Sequence, residues 1–139
     1  MSNTPAAESK TTPPAWQALP AERSGVTRKV EVAGFDMYVI VNFYDDHQPA
    51  EVFVHIAKMG STIQGMLDAL AQTLSIALRS GVAWKAFSER MQGLTFEPKD
   101  DKYTSVVDAL VKSIDAIIER RRELYEPFQQ MKDLQNTPF

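Results

Sequence analysis

The 139-residue chain contains no cysteine. That one absence excludes disulfides, thiolate metal sites, iron–sulfur ligation and thiol catalysis together. It also removes any need for an oxidising compartment, so a cytoplasmic location is the default expectation. Histidine is almost missing as well. His47 and His55 are the only two, on separate predicted elements, and such a pair holds no metal without carboxylate help. A basic excess is lacking: 15 Lys and Arg stand against 18 Asp and Glu, for a formal charge of −3. A sequence-independent nucleic-acid binder needs the opposite balance to displace phosphate counterions, so nucleic acid is not an expected partner. No apolar run reaches the ~18 residues that cross a bilayer, and no charged-then-apolar leader is visible, so no membrane association is expected. The Walker spacing G-x-x-x-x-G-K, the nucleophile elbow and repeats of solenoid length are all absent.

What is present reads as one α+β domain. Residues 1–22, rich in Pro, Ala, Ser and Thr, are expected to be a disordered or partner-dependent tail, with Trp16 and Leu19 able to dock. Residues 23–125 form the domain and 126–139 a flexible end. Val26, Val30 and Val32 alternate with polar neighbours, the period of a half-buried strand. Ala33-Gly34-Phe35-Asp36 is a hairpin turn. Met37 to Tyr44 is apolar on both faces, which predicts a central strand covered on both sides. Glu51 to Ile56 is the third strand. The period then becomes helical. Ser61 with Gln64 has capping-box spacing, Ile63 to Leu78 carries an apolar stripe, and Gly81 fits the position after a helix end. A short helix bears Val82, Trp84, Phe87 and Met91. Ser105, with Asp108 three residues on, opens a last helix that is expected to end near Tyr125, before Pro127. The predicted fold is a three-stranded antiparallel sheet followed by three helices packed on it.

Several features are candidate sites. Lys58-Met59-Gly60-Ser61-Thr62 leads into the first long helix, whose free N–H groups and partial positive charge suit a phosphate; Lys58 adds charge, Gly60 lets a ligand approach, and the hydroxyls of Ser61 and Thr62 donate. The structural alternative is a plain helix cap at Ser61. Arg28, in a local basic cluster, joins the ligand-binding candidates. Arg120, Arg121 and Arg122 either contact an anion or a partner or form a solvated helix end. Tyr38 and Tyr44 are expected on one face of the middle strand, as an aromatic platform or an interface, and Trp16 as an interaction residue. The pairs Asp45-Asp46 and Asp100-Asp101 read as solvated loop charge rather than an acid/base couple. No catalytic constellation, metal site or cofactor site emerges.

These residues together carry a family likeness. Leu19-Pro20 to Arg23, Val26 to Val32, Gly34, Tyr38, Val41 and Tyr44-Asp45 resemble the start of the C-terminal domain of adenosylcobalamin-dependent ribonucleotide reductases. The likeness continues through Glu51 to Lys58, Gly60-Ser61-Thr62-Ile63 and Gly65, then Ser75 to Leu78 with Gly81-Val82, Phe96-Glu97-Pro98, and Lys112 to Asp115. It covers about residues 19–122, and the module belongs to the group called TSCPD domains. The T-S-C-P-D string itself is absent, as are the reductase's catalytic barrel and all its cysteines. The resemblance therefore implies fold and ancestry, and no catalytic residue carries over.

The expected function is a stand-alone, non-catalytic binding module without a cofactor. One version binds a nucleotide or nucleotide-derived phosphate, and in a phage it would sequester nucleotide signals of host defence. The other is a protein-interaction, inhibitor or assembly module acting through an oligomeric interface, with a homo-oligomer as the expected state and pairing between subunits covering the sheet's exposed edges.

Overall fold

The computed structural model describes residues 15–135. The first fourteen residues of the expected tail and the last four of the expected flexible end lie outside the described residues. Strands β1 (Ser24–Val32), β2 (Phe35–Phe43) and β3 (Pro49–Ile56) are followed by helices α1 (Ser61–Arg79), α2 (Trp84–Met91) and α3 (Val106–Gln135). The sheet is antiparallel in the order β1-β2-β3, so the predicted α+β architecture is the observed one.

Local chemistry explains the strand pairing. Between β1 and β2 only Ala33 and Gly34 turn the chain, at φ 52 and 85, the positive values that a two-residue hairpin of this twist demands. Ala33 tolerates that conformation while its N–H donates to Asp100 Oδ2 at 2.8 Å. The register then sets the faces. Val30, Val32, Met37, Val39, Val41, Phe43, Val52, Val54 and Ile56 all point to one side and are all buried. Against them pack Leu67, Ala71, Leu74 and Leu78 of α1, and Val106, Leu110, Val111, Ile114 and Ile117 of α3. α1 lies along β3, α3 crosses β1 and β2, and α2 packs on α3. Burying each large apolar side chain contributes about 1.5–3 kcal/mol, so this one layer is the core.

Two sequence expectations fail here for identifiable reasons. Among the described residues, strand β2 is covered on one face only. Tyr38 and Ile40 share the opposite face with Phe53, and Tyr38 and Phe53 remain exposed. An apolar side chain reads alike in sequence whether a helix or water meets it. The capping box does not form either: Gly60 is the N-cap of α1, without a side-chain cap. Gln64 serves β3 instead. Its Oε1 accepts from Ile56 N–H at 2.8 Å and its Nε2 donates to Val54 O at 3.1 Å. Three turns on, Ser75 Oγ accepts from Val52 N–H at 2.9 Å. Side chains of α1 thus occupy the outer edge of β3, and the expectation of sheet edges left for subunit pairing does not hold there.

The other helix ends follow their residues. Gly81 at φ 92, with Val82 N–H donating to Ala77 O at 3.0 Å, closes α1 as expected. Ser105 Oγ accepts from Asp108 N–H at 3.0 Å and starts α3. Helix α3 runs through Pro127 to Gln135 rather than stopping near Tyr125; a proline deletes one helical hydrogen bond, and a long helix continues on either side. Asp115 ties α2 to α3 by accepting from Trp84 Nε1 at 2.6 Å and Ser88 Oγ at 2.8 Å, and from Gln92 Nε2.

Candidate functional site

The entrance to α1 has the geometry of a sharp reversal. Lys58 and Gly60 take φ values of 65 and 96, which turn the chain from β3 into the helix. With no side-chain cap, the first-turn N–H groups face outward, and Lys58, Gly60, Ser61 and Thr62 are all exposed. Arg28 does not join them. It sits on β1, opposite Val39, with β2 between it and β3.

The aromatic candidates also separate. Strand β2 ends at Phe43, and Tyr44 turns inward, buried, its hydroxyl donating to Gln17 O at 3.2 Å. Tyr38 stays on the open sheet face, so the two tyrosines form no common platform. Trp16 lies under the Arg79 guanidinium at 3.9 Å. Beside it, Gln17 N–H donates to Arg79 O at 2.9 Å and Arg79 Nε donates to Gln17 O at 3.2 Å. The segment before β1 therefore docks on the end of α1.

The open face is laid out in rows by the register: Lys29, Tyr38 and His55; Thr27, Ile40 and Phe53; Gly25, Asn42 and Glu51. Its centre is apolar, and Phe53 is 50% exposed. At one end Glu51 is buried and ion-paired with Arg23. Gly25 is required there, because a Cβ would lie 2.0 Å from Asn42 Oδ1 and 2.9 Å from Val41 O. Phe53 also borders a groove of about 330 Å³ shared with Leu19, Ile76 and Arg79.

The arginine run resolves into three different roles. Arg120 is exposed, and Arg122 pairs with Glu119 at 3.2 Å. Arg121 is buried. Its guanidinium lies 4.3 Å from the Phe43 ring and 4.7 Å from that of Tyr125. It donates to Ser24 Oγ at 2.7 Å and to His47 Nδ1. His47, at φ 69, stacks on Tyr125 at 4.3 Å. Sequence reasoning named Arg121 but missed Ser24, His47 and Tyr125 as its neighbours; Ser24 and His47 stand 97 and 74 positions away, where no local pattern reaches, whereas Tyr125 lies one helical turn on, at i,i+4 spacing.

No cluster of three or more His, Asp or Glu placed to hold a metal occurs among the described residues, and no described helix is long and apolar enough to cross a membrane. The family comparison decides the rest: the TSCPD domain matches residues 10–118. The chain belongs to the TSCPD domain family. This TSCPD chain is 38% identical over 85 residues to a vitamin B12-dependent ribonucleotide reductase of Rhodopirellula baltica, covering 61% of the chain and 8% of the relative. It is 33% identical over 104 residues to that of Streptomyces clavuligerus, covering 73% and 11%. It is 32% identical over 119 residues to that of Streptantibioticus cattleyicolor, covering 84% and 19%. The TSCPD chain thus spans less than a fifth of the length of these curated relatives. No solved structure matches it. The domain is related to an accessory region of those reductases, and the family match stops at residue 118, short of Arg121 and Tyr125.

Proposed function

We propose that this TSCPD domain is a non-catalytic accessory module that works by docking its open sheet face against a protein surface, with a second copy of itself as partner. One observation carries this reading. The face that no described helix covers has Tyr38, Ile40 and Phe53 side by side at its centre. An antiparallel sheet facing water normally alternates to polar residues there. An apolar centre rimmed by Lys29, Glu31 and His55 is instead the layout of an interaction patch. The placement of the histidines supports a binding role over catalysis: His47 Nδ1 accepts from Arg121 and its ring stacks on Tyr125, while His55 lies apart on the open face. Light scattering of the purified chain from about 10 to about 500 μM tests the proposal across the range of weak self-association. A mass that climbs toward the dimer, and stays at the monomer in Phe53→Glu, is the expected result. Identical monomeric behaviour of both proteins would sink it.

A second reading is favoured by the uncapped start of α1 beside Lys58. There a nucleotide-derived phosphate would meet free N–H groups and a cation, and the relatives' naming as ribonucleotide reductases makes nucleotides the natural probes. Sequestration of a nucleotide signal, as a phage protein would do, is the biological form of this reading. Nucleotides titrated while following the melting temperature would show a rise that Lys58→Ala abolishes; an unchanged melting temperature across the panel removes this reading.

A further inference from the structure

The cleft between the β2–β3 turn and α3 holds a buried cation that no carboxylate touches among the described residues. Arg121 is 6% exposed, yet it joins none of the ion pairs among the described residues. A buried guanidinium normally has a carboxylate beside it, because leaving water without one is among the costliest arrangements in a fold. Here the partners are neutral: Ser24 Oγ at 2.7 Å, His47 Nδ1 at 3.1 and 3.3 Å, and the two aromatic rings. These bonds use Nε and Nη2 and leave Nη1 without a protein partner among the described residues. Arg121 lines a cavity of about 440 Å³ together with His47, Arg122, Asp45, Asp46 and Glu126. Because His47 Nδ1 accepts from Arg121, the ring proton sits on Nε2 and is free to be donated. The carboxylates of the cleft stand beyond ion-pair distance of Arg121.

We propose that this cleft binds a compact phosphomonoester carried on a small polyhydroxylated body. Arg121 Nη1, the His47 Nε2–H and the free nitrogens of Arg122 donate to the phosphate oxygens. Asp45, Asp46 and Glu126 accept from the hydroxyls. The same three acids oppose every added negative charge, so a polyphosphate is disfavoured more strongly than a single phosphate. The site is independent of the docking face, which lies on the other side of the sheet, and of the α1 entrance at Lys58.

The test titrates ribose 5-phosphate, inorganic phosphate and ribose separately into the ¹⁵N-labelled full chain. Ribose 5-phosphate is expected to shift the amides of Ser24, His47, Gln48 and Arg121 with a Kd below about 1 mM, phosphate alone to bind roughly tenfold more weakly, and ribose not at all. Arg121→Lys and His47→Asn should each weaken binding by about tenfold or more, a difference of about 1.4 kcal/mol, while Lys58→Ala leaves it unchanged. Asparagine tolerates the positive φ at position 47 and keeps an acceptor for Arg121, so His47→Asn decides the matter should Arg121→Lys fail to fold. Silence of these amides up to about 10 mM ligand overturns the proposal. So does binding that survives His47→Asn, that is lost in Lys58→Ala, or that is matched by phosphate or ribose alone.

Discussion

Asp108 shows how one residue holds several segments in place. Its side chain is fully buried, and burial alone pushes a carboxyl pKa up. The N–H groups of Gly93 at 2.8 Å and Thr104 at 3.1 Å, with Lys112 Nζ at 3.0 Å, outweigh that and hold the group below its ordinary 3.8. Asp100 is also lowered, chiefly by the Ala33 N–H and then by that of Tyr103. A carboxyl with a depressed folded pKa binds fewer protons folded than unfolded. The stability it contributes is therefore in place above pH ~4 and drains away as pH falls through the folded value. A melting-temperature series from pH 7 downward should show that decline, and Asp108→Asn should flatten it while costing about 1–3 kcal/mol at neutral pH. An Asp108→Asn protein with an unchanged acid profile would mean that other carboxylates set the decline. At Gly25 the constraint is steric. Gly25→Ala drives a methyl group against Asn42 and the Val41 carbonyl, so denaturant titration should register a loss of about 1–3 kcal/mol.

Among the elements, the bond between α1 and β3 is the least visible in sequence and the most consequential. Gln64→Ala would leave Ile56 N–H and Val54 O without their present partners. The expected cost is about 1–2 kcal/mol, together with faster hydrogen exchange at Ile56 and little change at Val39 in the middle strand. Comparable protection at Ile56 in variant and wild type would show that water replaces the amide without loss. The strands and helices themselves were legible, because alternation at Val26, Val30 and Val32 and the stripe from Ile63 to Leu78 depend only on neighbours along the chain. So was the Gly81 terminus, where a single φ dictates the residue. The cap was misread because Ser61 and Gln64 have the right spacing for one motif while β3, folded alongside, offers Gln64 two better partners. The one-sided cover of β2 was equally hidden, since Tyr38 and Ile40 carry no mark of what meets them.

For the molecule as a whole, three helices on one side of a three-stranded sheet leave the other side without a helix among the described residues. Phe53 is half exposed, so Phe53→Glu should leave folding stability within about 0.5 kcal/mol of wild type, and a chemical melt run beside the light-scattering series would separate lost association from lost structure. A large drop in stability would instead mean that Phe53 is part of the fold. The Arg121 cleft belongs to this scale as well: Ser24, His47 and Arg121 come from the first strand, a turn and the last helix, and only the completed fold brings them together. The Gln64 and Ser75 bonds have a further consequence at high concentration. A foreign strand seeking to extend the sheet finds the β3 flank already taken by the protein's own helix, and on the β1 flank it meets Arg28, Lys29 and Glu31. Fibrils would thus have to wait until α1 peels away, and until then crowded solutions of this domain would hold discrete particles rather than ribbons.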